Sequence, residues 1–82
     1  MMRNLGRTQQ LVLHLLASGG KTVETLAYDW PTLTESSVGN ALGRLARRGL
    51  VDRQNPHGAY EWYLTDKGRA VEAELVGADD DA

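Results

Sequence analysis

"SSVGNALGRLARRGLV", residues 36–51, is the stretch on which the reading of this chain turns. Val38, Leu42 and Leu45 recur at i, i+4 and i+7, with Ala41 and Ala46 beside them, so one helical face is apolar. On a wheel of about 100° per residue with Val38 at zero, these five lie within roughly 80° of it. On the same wheel Ser36, Asn40, Gly43 and Arg47 lie between roughly 140° and 200°, and Arg44 lies near 240°. The opposite face is therefore small at its N-terminal part and basic at its C-terminal part. Small residues let a helix backbone come close to base edges. Asn pairs with adenine, and Arg with guanine, through two hydrogen bonds. Ser, Arg and helix N-terminal amides hold phosphates. A plain alternative exists for the helix taken alone: exposed faces are polar, and arginines near a helix C-terminus serve its dipole.

Two glycines sharpen the question. Gly39 and Gly43 each cost up to ~1 kcal/mol against Ala in a helix interior. A close approach to DNA would offset that, and so would tight packing on another helix. Gly39, on a flank, suits either explanation; Gly43 favours DNA.

Outward from this helix, the N-terminal side reads as two more. In "RTQQLVLHLLASGG", Leu11, Val12, Leu15 and Leu16 form an apolar stripe of helical period, and Gly19 and Gly20 end it. A helix is expected from about Arg7 to Ser18. "KTVETLAYDWP" restarts with Thr22 as N-cap and a second stripe of Val23, Leu26 and Ala27, cut short by Pro31. Thr34 is the expected N-cap of the third helix, with Glu35 in its first turn and Gly49 as C′ residue. Helices 2 and 3 are joined by only a few residues around 31–33. That is the helix-turn-helix connection, whose second helix enters the major groove.

On the C-terminal side the period changes. In "LVDRQNPHGAYEWYLT", Tyr60, Trp62 and Leu64 alternate with Glu61 and Tyr63, which predicts a two-stranded hairpin. "NPHG" suits a type I turn, with Asn55 first, Pro56 second and Gly58 fourth. "TDKGRAVEAEL" is a last helix with Thr65 as N-cap and Val71 and Leu75 at i, i+4. The fold class is mainly α with a small antiparallel hairpin, in the order α-α-α-β-β-α.

Eighty-two residues make one domain near the lower size limit for a stable core. A chain this short is often helped by a partner, and a dimer is expected. With no cysteine, disulfides and thiolate metal sites are excluded, and a cytoplasmic location is the default. No apolar run approaches the roughly 20 residues of a membrane helix, and no signal peptide is read. The net charge of −2 is uneven: residues 1–69 carry +3 and residues 70–82 carry −5. The body is mildly basic.

The chain resembles the winged helix-turn-helix domains of MarR-like and ArsR-like transcriptional regulators. "TVETLA" (22–27) resembles the family's second helix. "LTESSVGNALGRLARRGLVDR" (33–53) resembles the recognition helix and the start of the wing. "YEWYLTDKG" (60–68) resembles the second wing strand running into the last helix. The run Leu42, Leu45, Gly49, Leu50, Val51, followed by L-T-x-x-G some fourteen residues on, is fairly specific as a pair. The resemblance covers roughly residues 7–76. The expected division is a winged helix-turn-helix domain over 1–76 and a disordered, solvated acidic tail over 77–82. It implies that helix 3 enters the major groove and that the wing touches phosphate or minor groove. Carried over, the helix contacts are Ser36, Ser37, Asn40, Arg44 and Arg47, with the N-cap Thr34 and Gly43 counted among the DNA-binding positions. The wing contacts are Arg53, Gln54, Asn55 and His57. The sequence departs from the pattern in two places. Its wing tip "QNPHG" holds no Lys or Arg, which argues against insertion into the minor groove. The long flanking helices that build dimers in larger members are absent, so a homodimer would use helix 1, the N-terminal residues or helix 4.

Other chemistry finds little footing. His14 lies among leucines and reads as a partly buried, hydrogen-bonded residue or as a ligand or pH sensor. Two distant histidines make no metal site of known spacing. Trp62 is expected beneath the wing, and Trp30 is expected to plug the turn before helix 3; a solvent-facing Trp30 would point to a protein interface. No catalytic constellation and no phosphate-cradling glycine loop are present. No cofactor, metal, membrane or small-molecule ligand is expected. Two functions compete: a sequence-specific regulator binding double-stranded DNA, and a winged-helix adaptor for protein contacts.

Overall fold

Capping hydroxyls start three of the four helices. The computed structural model describes residues 5–55, 58 and 60–80, with side chains as far as 75. Its elements are α1 (Arg7–Leu16), α2 (Val23–Asp29), α3 (Glu35–Arg47), β1 (Val51–Gln54), β2 (Glu61–Leu64) and α4 (Asp66–Asp80). Thr22 and Thr34 cap α2 and α3, each accepting from the backbone N–H three residues on at 3.0 Å. Thr65 does the same for Gly68 at the start of α4. The expected order of elements holds throughout.

The core is built where those helices cross. Val12, Leu13, Leu16, Leu26, Val38, Leu42 and Leu45 are essentially inaccessible, and Ala41, Leu50, Val51 and Leu64 close around them. Each fully buried leucine contributes roughly 1.5–3 kcal/mol. On α1 the buried set is Val12, Leu13 and Leu16, whereas Leu11 and Leu15, expected in the stripe, are half-buried. The helix packs on α3, α4 and β2 at once, which turns its buried arc toward Leu13. It ends at Leu16, two residues short of Ser18. Ala17 and Gly19 donate to carbonyls three residues back, and Gly19 takes φ +134°.

The end of α3 is a Schellman motif. Gly49 (φ +76°) donates to the Ala46 carbonyl at 2.9 Å and Leu50 to the Leu45 carbonyl at 3.0 Å. The chain leaves this turn directly into β1, one residue later than expected, because Leu50 is spent on the cap. The hairpin is antiparallel, pairing Val51 with Leu64 and Arg53 with Trp62. Lys21 adds a further rung, exchanging two backbone hydrogen bonds with Trp62 at 2.9 and 2.8 Å. Nothing in the periodicity announces this rung, since one residue has no period. The expected turn at 55–58 includes Pro56 and His57, which lie outside the described residues.

The L-T-x-x-G run joins α4 to the end of α3. Thr65 Oγ1 donates to the Gly49 carbonyl at 2.6 Å, and Thr65 N–H donates to the Leu50 carbonyl at 3.1 Å. Lys67 Nζ donates to the Arg48 carbonyl at 3.0 Å. These partners satisfy carbonyls that a helix end leaves open. Gly68 is buried, and a Cβ placed on it would run into the Leu50 carbonyl. The helix α4 continues to Asp80, past position 76, where a disordered tail is expected from the composition. Its run of Ala, Glu and Val up to that point consists largely of helix-compatible residues with no proline, so no stop is encoded there.

Two aromatic expectations divide. Trp62 is half-buried against the core, as expected. Trp30 does not plug the turn: it is 40% exposed, beside Tyr28 at 86%. Leu33 takes the inward place, and Trp30 contributes its carbonyl, which accepts from Leu33 N–H at 2.8 Å.

Candidate nucleic-acid interface

Most of the polar face of α3 makes no side-chain hydrogen bond or ion pair among the described residues. Ser36, Asn40, Arg44 and Arg47 are exposed, and none has a side-chain partner among the described residues. They have donors to offer and no ion pair to break first. Thr34 and Ser37 are differently placed. The Thr34 hydroxyl accepts from Ser37 N–H and donates to Ser37 Oγ, both at 3.0 Å. Its single hydrogen goes to Ser37 Oγ, whereas the Ser37 hydroxyl keeps its own hydrogen for an outside acceptor.

The two glycines of α3 have open space around them. A Cβ on Gly39 or Gly43 would meet nothing within 4 Å among the described residues. Both have negative φ, so no backbone conformation demands glycine. Packing on another helix among the described residues therefore does not explain either glycine.

On the wing, Arg53 is held by aromatic rings. Its guanidinium lies 4.3 Å from the Tyr60 ring centroid and 5.5 Å from that of Trp62, which faces it across the hairpin. Cation–π contact of this kind orders an otherwise floppy side chain and leaves its N–H edges free. The alternation that put Tyr60 on the core side is met only in part: Leu64 is buried, while Tyr60 is 54% exposed and serves as a shelf for Arg53. Gln54 and Asn55 are exposed at the end of β1. His57 lies outside the described residues.

Sequence reasoning missed the first turn of α1. Arg7, Thr8 and Gln9 stand beside Ser37, Asn40 and Arg44 across a cleft of about 310 Å³. Gln9 and Arg44 also line an adjoining cleft with Arg47 and Arg48. The Gln9 Oε1 is shielded from solvent and accepts no hydrogen bond from the described residues. No spacing rule links residues thirty positions apart, so this neighbour was invisible in one dimension. His14 is exposed on the far part of the same helix, its Nδ1 3.3 Å from Glu72 Oε2 on α4, which ties the two helices at the surface. Among the described residues no group of three His, Asp or Glu side chains is placed to hold a metal, and no helix is long and apolar enough to cross a membrane.

This arrangement of helix pair, capped third helix and paired wing matches known proteins over nearly its whole length. The model of the HxlR-like helix-turn-helix family matches residues 5–79. The chain belongs to that family. It is a winged helix-turn-helix domain of the transcriptional-regulator class, the same general class as the MarR-like resemblance implies. No curated relative matches it significantly. Among solved structures, a ZitR double mutant from Lactococcus lactis is similar with a TM-score of 0.84 and 26% identity, over 94% of this chain and 54% of that one. A ZitR mutant solved in complex with DNA has a TM-score of 0.80 and 25% identity, over 95% and 55%. The reduced form of the transcriptional regulator YodB from B. subtilis shares the fold, with a TM-score of 0.83 and 24% identity over 92% and 76%. This HxlR-like chain spans about half the length of the ZitR chains it matches.

Proposed function

We propose that this HxlR-like chain is a sequence-specific regulator of transcription that acts by binding double-stranded DNA in the cytoplasm, as a homodimer and without catalysis. Helix α3 enters the major groove. Asn40 and Arg44 read base edges, Ser36, Ser37 and Arg47 hold phosphates or bases, and Gly43 lets the backbone approach. Thr34 fixes the start of the helix. Arg53 is the wing's cation for the DNA backbone, with Gln54, Asn55 and His57 as its polar neighbours. The observation that carries this reading is the Ser36–Asn40–Arg44–Arg47 face on the second helix of the pair, unpaired among the described residues, with two glycines that none of those residues requires. The DNA-bound ZitR mutant of the same architecture supports it.

The test is selection of the purified chain on a pool of random duplex DNA at physiological and at high salt. A palindrome with half-sites about one helical turn apart is expected for a two-fold dimer. Arg44→Ala is expected to cost about 1–3 kcal/mol on the selected site and to relax preference at one base pair. Parent-like binding by both Arg44→Ala and Arg47→Ala would remove the recognition surface, and the absence of any enriched sequence would favour the adaptor.

A further inference from the structure

The flank of α3 that looks toward α1 is one wall of a shallow, open cleft. Ser37, Asn40 and Arg44 form one side and Arg7, Thr8 and Gln9 the other. Among the described residues no carboxylate lines this cleft or the adjoining one with Arg47 and Arg48. Other clefts differ: those around α2 and the wing contain Glu24, and one of them also Glu35 at the start of α3. The first turn of α1 carries no acid either, and Arg7 is exposed without a side-chain partner among the described residues. Among the described residues the lining of this flank is basic and polar, whereas the clefts on the α2 side also hold carboxylates.

We propose that the first turn of α1 is a second DNA-contacting element, with Arg7 docking on a backbone phosphate at one edge of the major groove that α3 enters. The inference rests on the reading of α3 given above. Its geometry is simple. An α-helix with side chains is about 10–12 Å across, and the major groove is about 12 Å wide. A helix that fills the groove brings whatever stands at its flank against the phosphate ridge. On the wheel of α3, Asn40 and Arg44 lie at the boundary between the groove-facing side and this flank, so the cleft they share with Arg7 straddles the groove edge. The α1 wall offers a guanidinium and the Thr8 hydroxyl, both donors suited to a phosphate oxygen. Arg7 adds affinity without reading sequence, and it holds α3 in register against the opposing wing.

Salt titration of DNA binding separates the two roles. The probe is the duplex enriched by the full parent chain, and the variants are Arg7→Ala and Arg7→Lys, with helicity and thermal midpoint measured alongside. One lost phosphate contact lowers the slope of log K against log salt by about 0.9. Extrapolated from 1 M salt, that is about a fivefold loss at 0.15 M. Arg7→Ala is expected to show both, with the same enriched sequence as the parent, and Arg7→Lys to recover most of the slope. Methylphosphonate placed at single phosphates of the duplex should reveal one position where neutralisation weakens the parent but not Arg7→Ala. An unchanged slope in Arg7→Ala on an enriched duplex overturns the α1 contact alone. An enriched sequence that changes in Arg7→Ala also overturns it, because a phosphate contact carries no sequence information. Failure of the parent to enrich any duplex overturns the reading of α3, and this inference with it.

Discussion

Gly68→Ala should be among the most damaging single substitutions in this chain, although alanine is the better helix former. A Cβ on Gly68 would overlap the Leu50 carbonyl oxygen and sit 2.9 Å from its carbonyl carbon and 3.4 Å from its Cα. Ordinary carbon contacts lie at about 3.5–4.0 Å, so the first turn of α4 must retreat by most of an ångström or more. The obstacle is backbone and cannot rotate aside. Retreat strains three hydrogen bonds together: Thr65 Oγ1 to the Gly49 carbonyl, Thr65 N–H to the Leu50 carbonyl, and Lys67 Nζ to the Arg48 carbonyl. Overpacking costs about 1–3 kcal/mol, and each weakened hydrogen bond adds up to about 1 kcal/mol. The propensity gain of Ala over Gly returns up to ~1 kcal/mol. The net loss is about 2–4 kcal/mol, out of the roughly 4–12 kcal/mol that a domain of this size holds. That corresponds to a fall in Tm of about 10–30 °C, read from the 222 nm ellipticity, with a matching shift in urea midpoint. A Gly68→Ala variant within about 0.5 kcal/mol of the parent would show that α4 does not dock on Leu50 as described.

Other substitutions follow from the same geometry. Gly39→Ala and Gly43→Ala point into open space, so each should raise stability by up to ~1 kcal/mol in urea; Gly43→Ala should at the same time weaken binding to the selected duplex, and a gain in both would remove its role in close approach. Thr65→Val keeps the shape but loses the cap of α4 and the bond to the Gly49 carbonyl, a loss of about 1–2 kcal/mol by denaturant titration. His14→Gln should change stability by no more than about 0.5 kcal/mol, because the His14–Glu72 pair is largely exposed at His14; a larger effect would revive the sensor reading. Removal of residues 77–82 takes away three of the five acids of the C-terminal stretch, so DNA affinity at low salt should rise and the difference should shrink as salt is added; equal affinities would mean that the acids do not restrain binding.

Much of this chain was legible in one dimension because its cues are local. Helical period, capping hydroxyls at Thr22, Thr34 and Thr65, and the C′ glycine at 49 act within four residues of themselves, so they set α2, α3, the hairpin and the start of α4 without help from the rest of the fold. The polar face of α3 follows from the same period. The tertiary structure alone decided what depends on residues far apart. It turned α1 so that Leu13 is buried, gave Trp30 to solvent and Leu33 to the interior, and laid Arg53 on Tyr60 and Trp62. It also explained Gly68 by a carbonyl eighteen positions away, and it set Arg7 beside Arg44. The physical reason is that a backbone cap or a period needs only neighbours in the chain, whereas burial and cleft walls are set by which elements pack together, and packing is a property of the whole assembly of helices.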